Sequence, residues 1–303
     1  MTDLKFDFNP APSTSGRTQI QPDTIYTKDR DYGYEPNFNH QGQPFFFSAA
    51  VAPGNYRVTV KLGDPSSATT TTIKAEMRRL MLENIKTAPG QFITRSFVVN
   101  VRTPQIPGGG QVRLKQRERE TEMINWDEKL TLEFNGSNPR VSAIEIDKVD
   151  VPTIYVMGDS TVCDQPREPW NSWGQMLPRW FNDQIVVANH ANSGESLRSS
   201  MGAHRLDQVV STMKSGDWLL IQFGHNDMKE KGEGIGAFTS YKTDLKHYIA
   251  EARKRGGQVI LVTSMERKAG VETPTLGDYP EAVRQTAREE GLPLIDLNAM
   301  SKM

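Results

Sequence analysis

The chain has 303 residues, of which 36 are basic and 37 acidic, for a net charge of −1. That balance argues against nucleic-acid and anionic-membrane partners, which favour a basic excess. No apolar run approaches the ~20 residues of a membrane span, and the single cysteine, Cys163, excludes an internal disulfide and a thiolate metal cluster.

The start, MTDLKFDFNP, has no basic stretch followed by an apolar core, so no signal peptide is visible. Residues 1–150 then read as short strands between turn residues. In FFFSAAVAPGNYRVTVKLGD, the turn signal Pro53-Gly54-Asn55 precedes Tyr56, Val58, Val60 and Leu62 at period two, a strand with one wet face. TTTTIKAEMRRLML and RSFVVNVRTP continue the β-branched bias. KLTLEFNGSNPRVSAIEIDKV reads as two strands joined by a turn at Asn135-Gly136. These segments predict an all-β sandwich. IPGGGQVRLKQRERETEM reads as a solvated loop carrying a charge run.

From Val151 the pattern changes. The apolar runs TIYVMG, QIVVANHA, DWLLIQFG, GQVILVTS and LPLIDL alternate with helix-length segments. Tyr241, Leu245, Tyr248, Ile249 and Ala252 form one helical stripe that ends on Lys254-Arg255-Gly256-Gly257. Pro178 is expected to shorten or kink the first helix. Apolar strands alternating with helices predict a parallel sheet covered on both faces, a three-layer α/β/α domain over residues 151–303.

In such sheets ligands bind beyond the carboxyl ends of the strands. Three polar, glycine-containing tips follow the first three: Gly158-Asp159-Ser160-Thr161, Asn192-Ser193-Gly194-Glu195-Ser196 and Gly224-His225-Asn226-Asp227. Ser160 is expected at an exposed turn, with a helix starting just after it. Gly194 lets its N–H approach a substrate oxygen, and Asn226 can donate through its amide. Together these groups suit an oxyanion hole for acyl transfer. The elbow G-x-S-x-G, the phosphate loop and H-E-x-x-H are all missing from the sequence.

The three tips resemble the first three blocks of the SGNH (GDSL-type) hydrolases. WGQMLPRWF and NHANSGESLRS resemble the rhamnogalacturonan acetylesterase branch, whose members deacetylate pectic polysaccharide. FDFN, PGNYRVTVKLGD and WDEKLTLEFNG resemble the galactose-binding-like sandwich that precedes some of these esterase domains. The resemblance implies a flavodoxin-like domain, a secreted or periplasmic carbohydrate esterase, acetylated plant polysaccharide as partner, and no metal or organic cofactor. It makes Ser160 the nucleophile, with its own N–H, Gly194 and Asn226 as the oxyanion hole. It gives His225 a supporting role at the site wall.

The family's base is a histidine in a late Asp-x-x-His block. The final LIDLNAMSKM carries no such block, so the esterase domain is expected to be truncated, with no base for Ser160 and self-association through an uncovered sheet face. Two readings stay open: an acetylesterase, or a non-catalytic carbohydrate-binding protein descended from a hydrolase. Among the other residues, His40 reads as a solvated loop residue, His190 as site-edge packing, and His204 and His247 as structural. Asp159 reads as a turn anchor. Glu195 and Arg198 are candidates for uronic-acid contact or ordinary salt bridges. Trp170 is the better sugar-stacking candidate. Trp173 is read as core, in a stripe with Leu177 and Trp180, and Cys163 as a small packed hydrophobe.

Overall fold

The computed structural model describes residues 3–9, 16–36 and 42–303. The chain divides into two compact units, one made of Met1–Thr103, Gln116–Val151 and Met176–Val187, the other of Pro104–Lys115, Pro152–Gln175 and Ala188–Met303.

The first unit is built from two five-stranded sheets. One has the order β2 (Thr18–Gln19), β1 (Asp3–Asp7), β10 (Val141–Lys148), β5 (Gly54–Leu62), β8 (Ile93–Val101). The other runs β3 (Tyr32–Tyr34), β4 (Phe45–Ala50), β9 (Lys129–Asn135), β6 (Thr69–Ala75), β7 (Arg79–Thr87). Pairing is antiparallel except between β1 and β2. The period-two expectation for β5 holds: Tyr56, Val58, Val60 and Leu62 are all fully buried while the residues between them are not. They share one core with Phe6, Phe45, Phe47 and Phe134, and the Phe45 and Phe134 rings stack at 4.5 Å. Truncating one of these rings to alanine removes packing worth about 3–5 kcal/mol.

The charge run is not a solvated loop throughout. Gln116–Thr121 forms a short helix, α1, in which Glu118 is fully buried. Glu122, just beyond it, is also buried and pairs with Arg117. An opposite charge five positions away lets the segment neutralise the buried Glu122 from within, which a reading of charge density alone overlooks.

A third five-stranded sheet is ordered β12 (Val186–Asn189), β11 (Thr153–Gly158), β13 (Trp218–Gln222), β14 (Gln258–Val262), β15 (Leu294–Ile295). β11, β13, β14 and β15 run parallel. This is the flavodoxin-like order, with the strand order reversing between β11 and β13, where such folds open a crevice. Both faces of the sheet are buried. Tyr155, Met157, Leu219, Ile221, Val259 and Leu261 join one core with helical side chains, and Ile154, Val156, Leu220 and Val262 are buried on the opposite face.

The helices are α2 (Trp173–Met176), α3 (Leu197–Gly202), α4 (Arg205–Thr212), α5 (Lys242–Lys254), α6 (Tyr279–Glu290) and α7 (Leu297–Met300). The α5 stripe is buried as predicted, from Tyr241 to Ala252, and Gly256 leaves the helix at φ +76°. Pro178 shortens the first helix: α2 is four residues long and gives way to a 3-10 turn at Leu177–Trp180. That break undoes the expected stripe. Trp180 is 74% exposed, with the Arg179 guanidinium 4.5 Å over its ring. Among the described residues no helix is long and apolar enough to cross a membrane.

Candidate active site

β11 ends at Gly158, whose backbone is gripped from both sides. Its carbonyl accepts from Asn192 N at 3.0 Å, and its register partner is Gln222. A Cβ on Gly158 would lie 2.5 Å from Gln222 O and 2.6 Å from Val162 Cγ2, so only glycine lets the strands close here.

No helix follows Ser160, contrary to the sequence expectation. Asp159 is fully buried, and its Oδ1 accepts from Thr161 N at 2.9 Å while its carbonyl accepts from Val162 N and Cys163 N. These are the bonds with which a helix begins, but they make a single turn only. Pro166 and Pro169 then deny the chain helical continuation until Trp173. Asp159 thus anchors the turn, as its residue type suggested. Ser160 is half-buried. Its carbonyl accepts from Gln165 Nε2 at 2.8 Å, while no described residue hydrogen-bonds its Oγ or its N–H. The nucleophile candidate thus keeps one hydroxyl and one amide without a hydrogen-bond partner among the described residues.

The other two tips are stitched to this one. His225 is buried, with Nδ1 3.2 Å from Asp159 Oδ2 and Nε2 3.0 Å from the carbonyl of Met265. Asn226 Nδ2 donates to the Glu195 carbonyl at 2.9 Å, and its Oδ1 accepts from Lys229 Nζ at 2.9 Å. That lysine contact fixes which end of the amide is nitrogen. Nδ2 has two hydrogens, and Glu195 O takes one. Gly194 is exposed with φ +78°, a conformation that favours glycine, and no described residue accepts from its N–H. Leu197 N donates to Asp227 Oδ1 at 2.9 Å, a further bond between the second and third tips.

Buried groups behind the tips hold this arrangement. Gln222 Oε1 accepts from Trp173 Nε1 at 2.8 Å, which gives the half-buried indole its polar partner. Tyr241 and Tyr248 of the α5 stripe donate to the carbonyls of Phe223 and Leu197, each at 2.9 Å. Burial pushes the Tyr241 phenol well above its ordinary pKa, so it stays a donor. Burial also pushes Asp227 up to about 7, with Glu230 and Asp159 adding to the rise.

Glu195 does not face outward as a sugar contact would. It is 1% exposed, its Oε1 lies 2.7 Å from Lys115 Nζ and 3.6 Å from Arg205 Nε, and its Oε2 accepts from Ser199 Oγ. Arg198 is half-exposed and pairs with Asp244 at 3.3 Å. Trp170 is 64% exposed. Cys163 is buried, as expected of a packed hydrophobe.

The remaining histidines do not approach Ser160 Oγ through any hydrogen bond. His190 is buried against Tyr155, its ring centroid 5.8 Å away. His204 precedes α4 at φ +61°, with Nδ1 2.7 Å from Asp207 Oδ2 and Nε2 3.3 Å from Arg113. His247 is exposed on α5, and His40 lies outside the described residues. Both His225 nitrogens face acceptors, so neither has a lone pair open toward a serine proton. Among the described residues no three His, Cys, Asp or Glu side chains gather as a metal site.

The residues that sequence reasoning missed are Lys115, Arg205, Gln222 and Asp227. Asp227 sat inside a tip already singled out, and its burial was the missing fact. Lys115 carries no local signal, because its partners lie about 80 positions away in the chain.

The model of the GDSL-like Lipase/Acylhydrolase family matches residues 156–302. Rhamnogalacturonan acetylesterase RhgT of Bacillus subtilis (strain 168) is 36% identical over 156 residues, covering 50% of this chain and 66% of that protein. Probable rhamnogalacturonan acetylesterase YesY of the same strain is 39% identical over 152 residues, covering 48% of this chain and 69% of that protein. The match thus spans about two thirds of each relative's length. Among solved structures, that of protein YxiM from Bacillus subtilis is 22% identical, with a TM-score of 0.47 over 99% of this chain and 87% of that one.

Proposed function

The chain belongs to the GDSL-like lipase/acylhydrolase family, and from that premise we propose that it is a carbohydrate acetylesterase that removes acetyl groups from pectic polysaccharide through Ser160. The observation that carries this reading is the state of the three tips. Ser160 Oγ, Ser160 N–H and Gly194 N–H carry no hydrogen bond from any described residue. Asn226 Nδ2 keeps one hydrogen, while every tip is bound to the other two. Donors on three mutually bonded tips, left without internal partners, suit an oxygen that becomes negative only in the transition state.

In the proposed reaction Ser160 Oγ attacks the acetyl carbonyl. The carbonyl oxygen takes the developing charge and receives hydrogen bonds from Ser160 N–H, Gly194 N–H and Asn226 Nδ2. The sugar hydroxyl leaves, an acetyl-serine remains, and water releases acetate. The serine proton needs an acceptor, and none of the described histidines is bonded to Oγ. The resemblance of the tips assigns that task to a histidine of an Asp-x-x-His block. The pectic substrate is supported by the names of the two relatives, and a polymer of that kind would be met outside the cytoplasm.

The experiment is acetate release from acetylated rhamnogalacturonan and acetylated xylan, with Ser160→Ala alongside. Release from the pectic polymer that Ser160→Ala abolishes is the expected result. Equal release by Ser160→Ala would overturn the mechanism, and a preference for xylan would overturn the substrate.

A further inference from the structure

Lys115 lies outside residues 156–302, yet it reaches the second tip. Its Nζ donates to the Ser193 carbonyl at 2.8 Å and stands 2.7 Å from Glu195 Oε1. A Cβ on Gly194 would come 3.6 Å from the same nitrogen. The Ser193 carbonyl and the Gly194 N–H are the two ends of one peptide group. In a trans peptide they point in opposite directions, and amide resonance couples them. A donor on the oxygen draws electron density toward it and leaves the N–H more positive. A charged donor does so more strongly than a neutral one.

We infer that Lys115 is a positioning residue of the oxyanion hole: its ammonium, fixed on Ser193 O, turns and polarises the Ser193–Gly194 peptide so that the N–H projects outward as a strong donor. The inference rests on the proposed reading of Gly194 N–H as an oxyanion donor. Gly194 gives this lever something to act on. It has no side chain to lock its dihedrals, and at φ +78° the peptide plane needs an external hold. Glu195 supplies the other half of the clamp. It is buried with Arg205 at its back, so its carboxylate keeps the ammonium in place over the peptide oxygen.

A simpler role for Lys115 would be to balance the buried charge of Glu195. The two roles separate by experiment on the 303-residue chain. The sequence holds three Ser-Gly dipeptides, at 15–16, 193–194 and 215–216. Carbonyl-13C serine with 15N glycine therefore isolates three amides in an HNCO spectrum, and Ser193→Ala identifies that of Gly194 by its loss.

Lys115→Met is expected to move the Gly194 amide proton upfield and leave the other two in place. Lys115→Arg should restore most of the shift. In the Lys115→Met, Glu195→Gln double variant the thermal midpoint should recover while the Gly194 amide stays displaced. With imidazole supplied as the base, hydrolysis of p-nitrophenyl acetate should lose about tenfold in kcat with KM nearly unchanged, less than the ~10²–10³ lost with a deleted oxyanion donor. An unmoved Gly194 amide in Lys115→Met, or its return in the double variant, overturns the inference. If hydrolysis is insensitive to Ser160→Ala, the functional reading fails instead, whatever the amide does.

Discussion

Asp159 and His225 meet at 3.2 Å at the carboxyl ends of β11 and β13, and the far nitrogen of the same ring lies 3.0 Å from the Met265 carbonyl. The contact ties the serine turn to the tip that carries Asn226. It also occupies the histidine next to Asn226. His225 therefore acts as a strut, and its loss should be felt as stability before chemistry. His225→Ala leaves the fully buried Asp159 Oδ2 without this partner, at a cost of about 1–3 kcal/mol. His225→Asn, which can still donate toward Asp159, should recover part of that cost. Chemical denaturation of the three proteins checks this order. An unchanged midpoint in His225→Ala would remove the strut.

Ser160 offers the opposite signature. Its hydroxyl makes no hydrogen bond with any described residue, so Ser160→Ala should change stability by no more than about 0.5 kcal/mol. Its effect on ester hydrolysis should be total. Because no described histidine nitrogen is bonded to Oγ, free imidazole is expected to raise the rate of p-nitrophenyl acetate hydrolysis in the wild-type chain above the rate in Ser160→Ala. Equal imidazole dependence in both proteins would mean that the serine is not the atom being activated.

Two buried carboxyls make stability depend on pH. Burial pushes Glu76 up to about 8, against the opposing pull of Arg79, and pushes Asp227 up to about 7. In each case the folded state keeps a proton that the unfolded chain releases near 4. Each contribution is complete below that value and is lost as pH rises through the folded pKa, because there the folded state binds more protons than the unfolded one. Thermal midpoints should thus fall between about pH 5 and pH 8. Glu76→Gln keeps an acceptor for Thr131 N, which now bonds Oε1 at 3.0 Å, and should flatten the decline in the first unit. Asp227→Asn should do the same in the second. A wild-type midpoint that rises over this range would contradict both assignments.

The parts of this molecule that were legible in its sequence are those governed by short periods. Tyr56 to Leu62 alternate because strand side chains alternate, and Tyr241 to Ala252 recur because a helix repeats every 3.6 residues. The three tips were legible because glycine and small polar residues mark strand ends. What could not be read was any role fixed by a distant partner. Glu195 looked like a surface acid until Lys115 and Arg205 were found against it. Glu118 looked solvated until it proved fully buried. The helix expected after Ser160 is cut to one turn for a local reason: the Asp159 carboxylate and carbonyl make the bonds of a helix start, and Pro166 and Pro169 deny the chain its continuation.

Trp170 is the remaining candidate for substrate contact. It follows Pro169 in the segment after the serine turn and is 64% exposed. An exposed indole offers a flat apolar face on which a sugar ring can stack, at little cost in side-chain entropy. A small ester such as p-nitrophenyl acetate has no sugar ring and would gain nothing from that face. Trp170→Ala should therefore raise KM for acetylated rhamnogalacturonan by about tenfold, the equivalent of roughly 1.4 kcal/mol of binding, and leave p-nitrophenyl acetate kinetics within twofold. Parallel kinetics on the two substrates test it. An equal loss on both would assign Trp170 to the integrity of the serine turn, and no loss on either would leave the sugar to another surface.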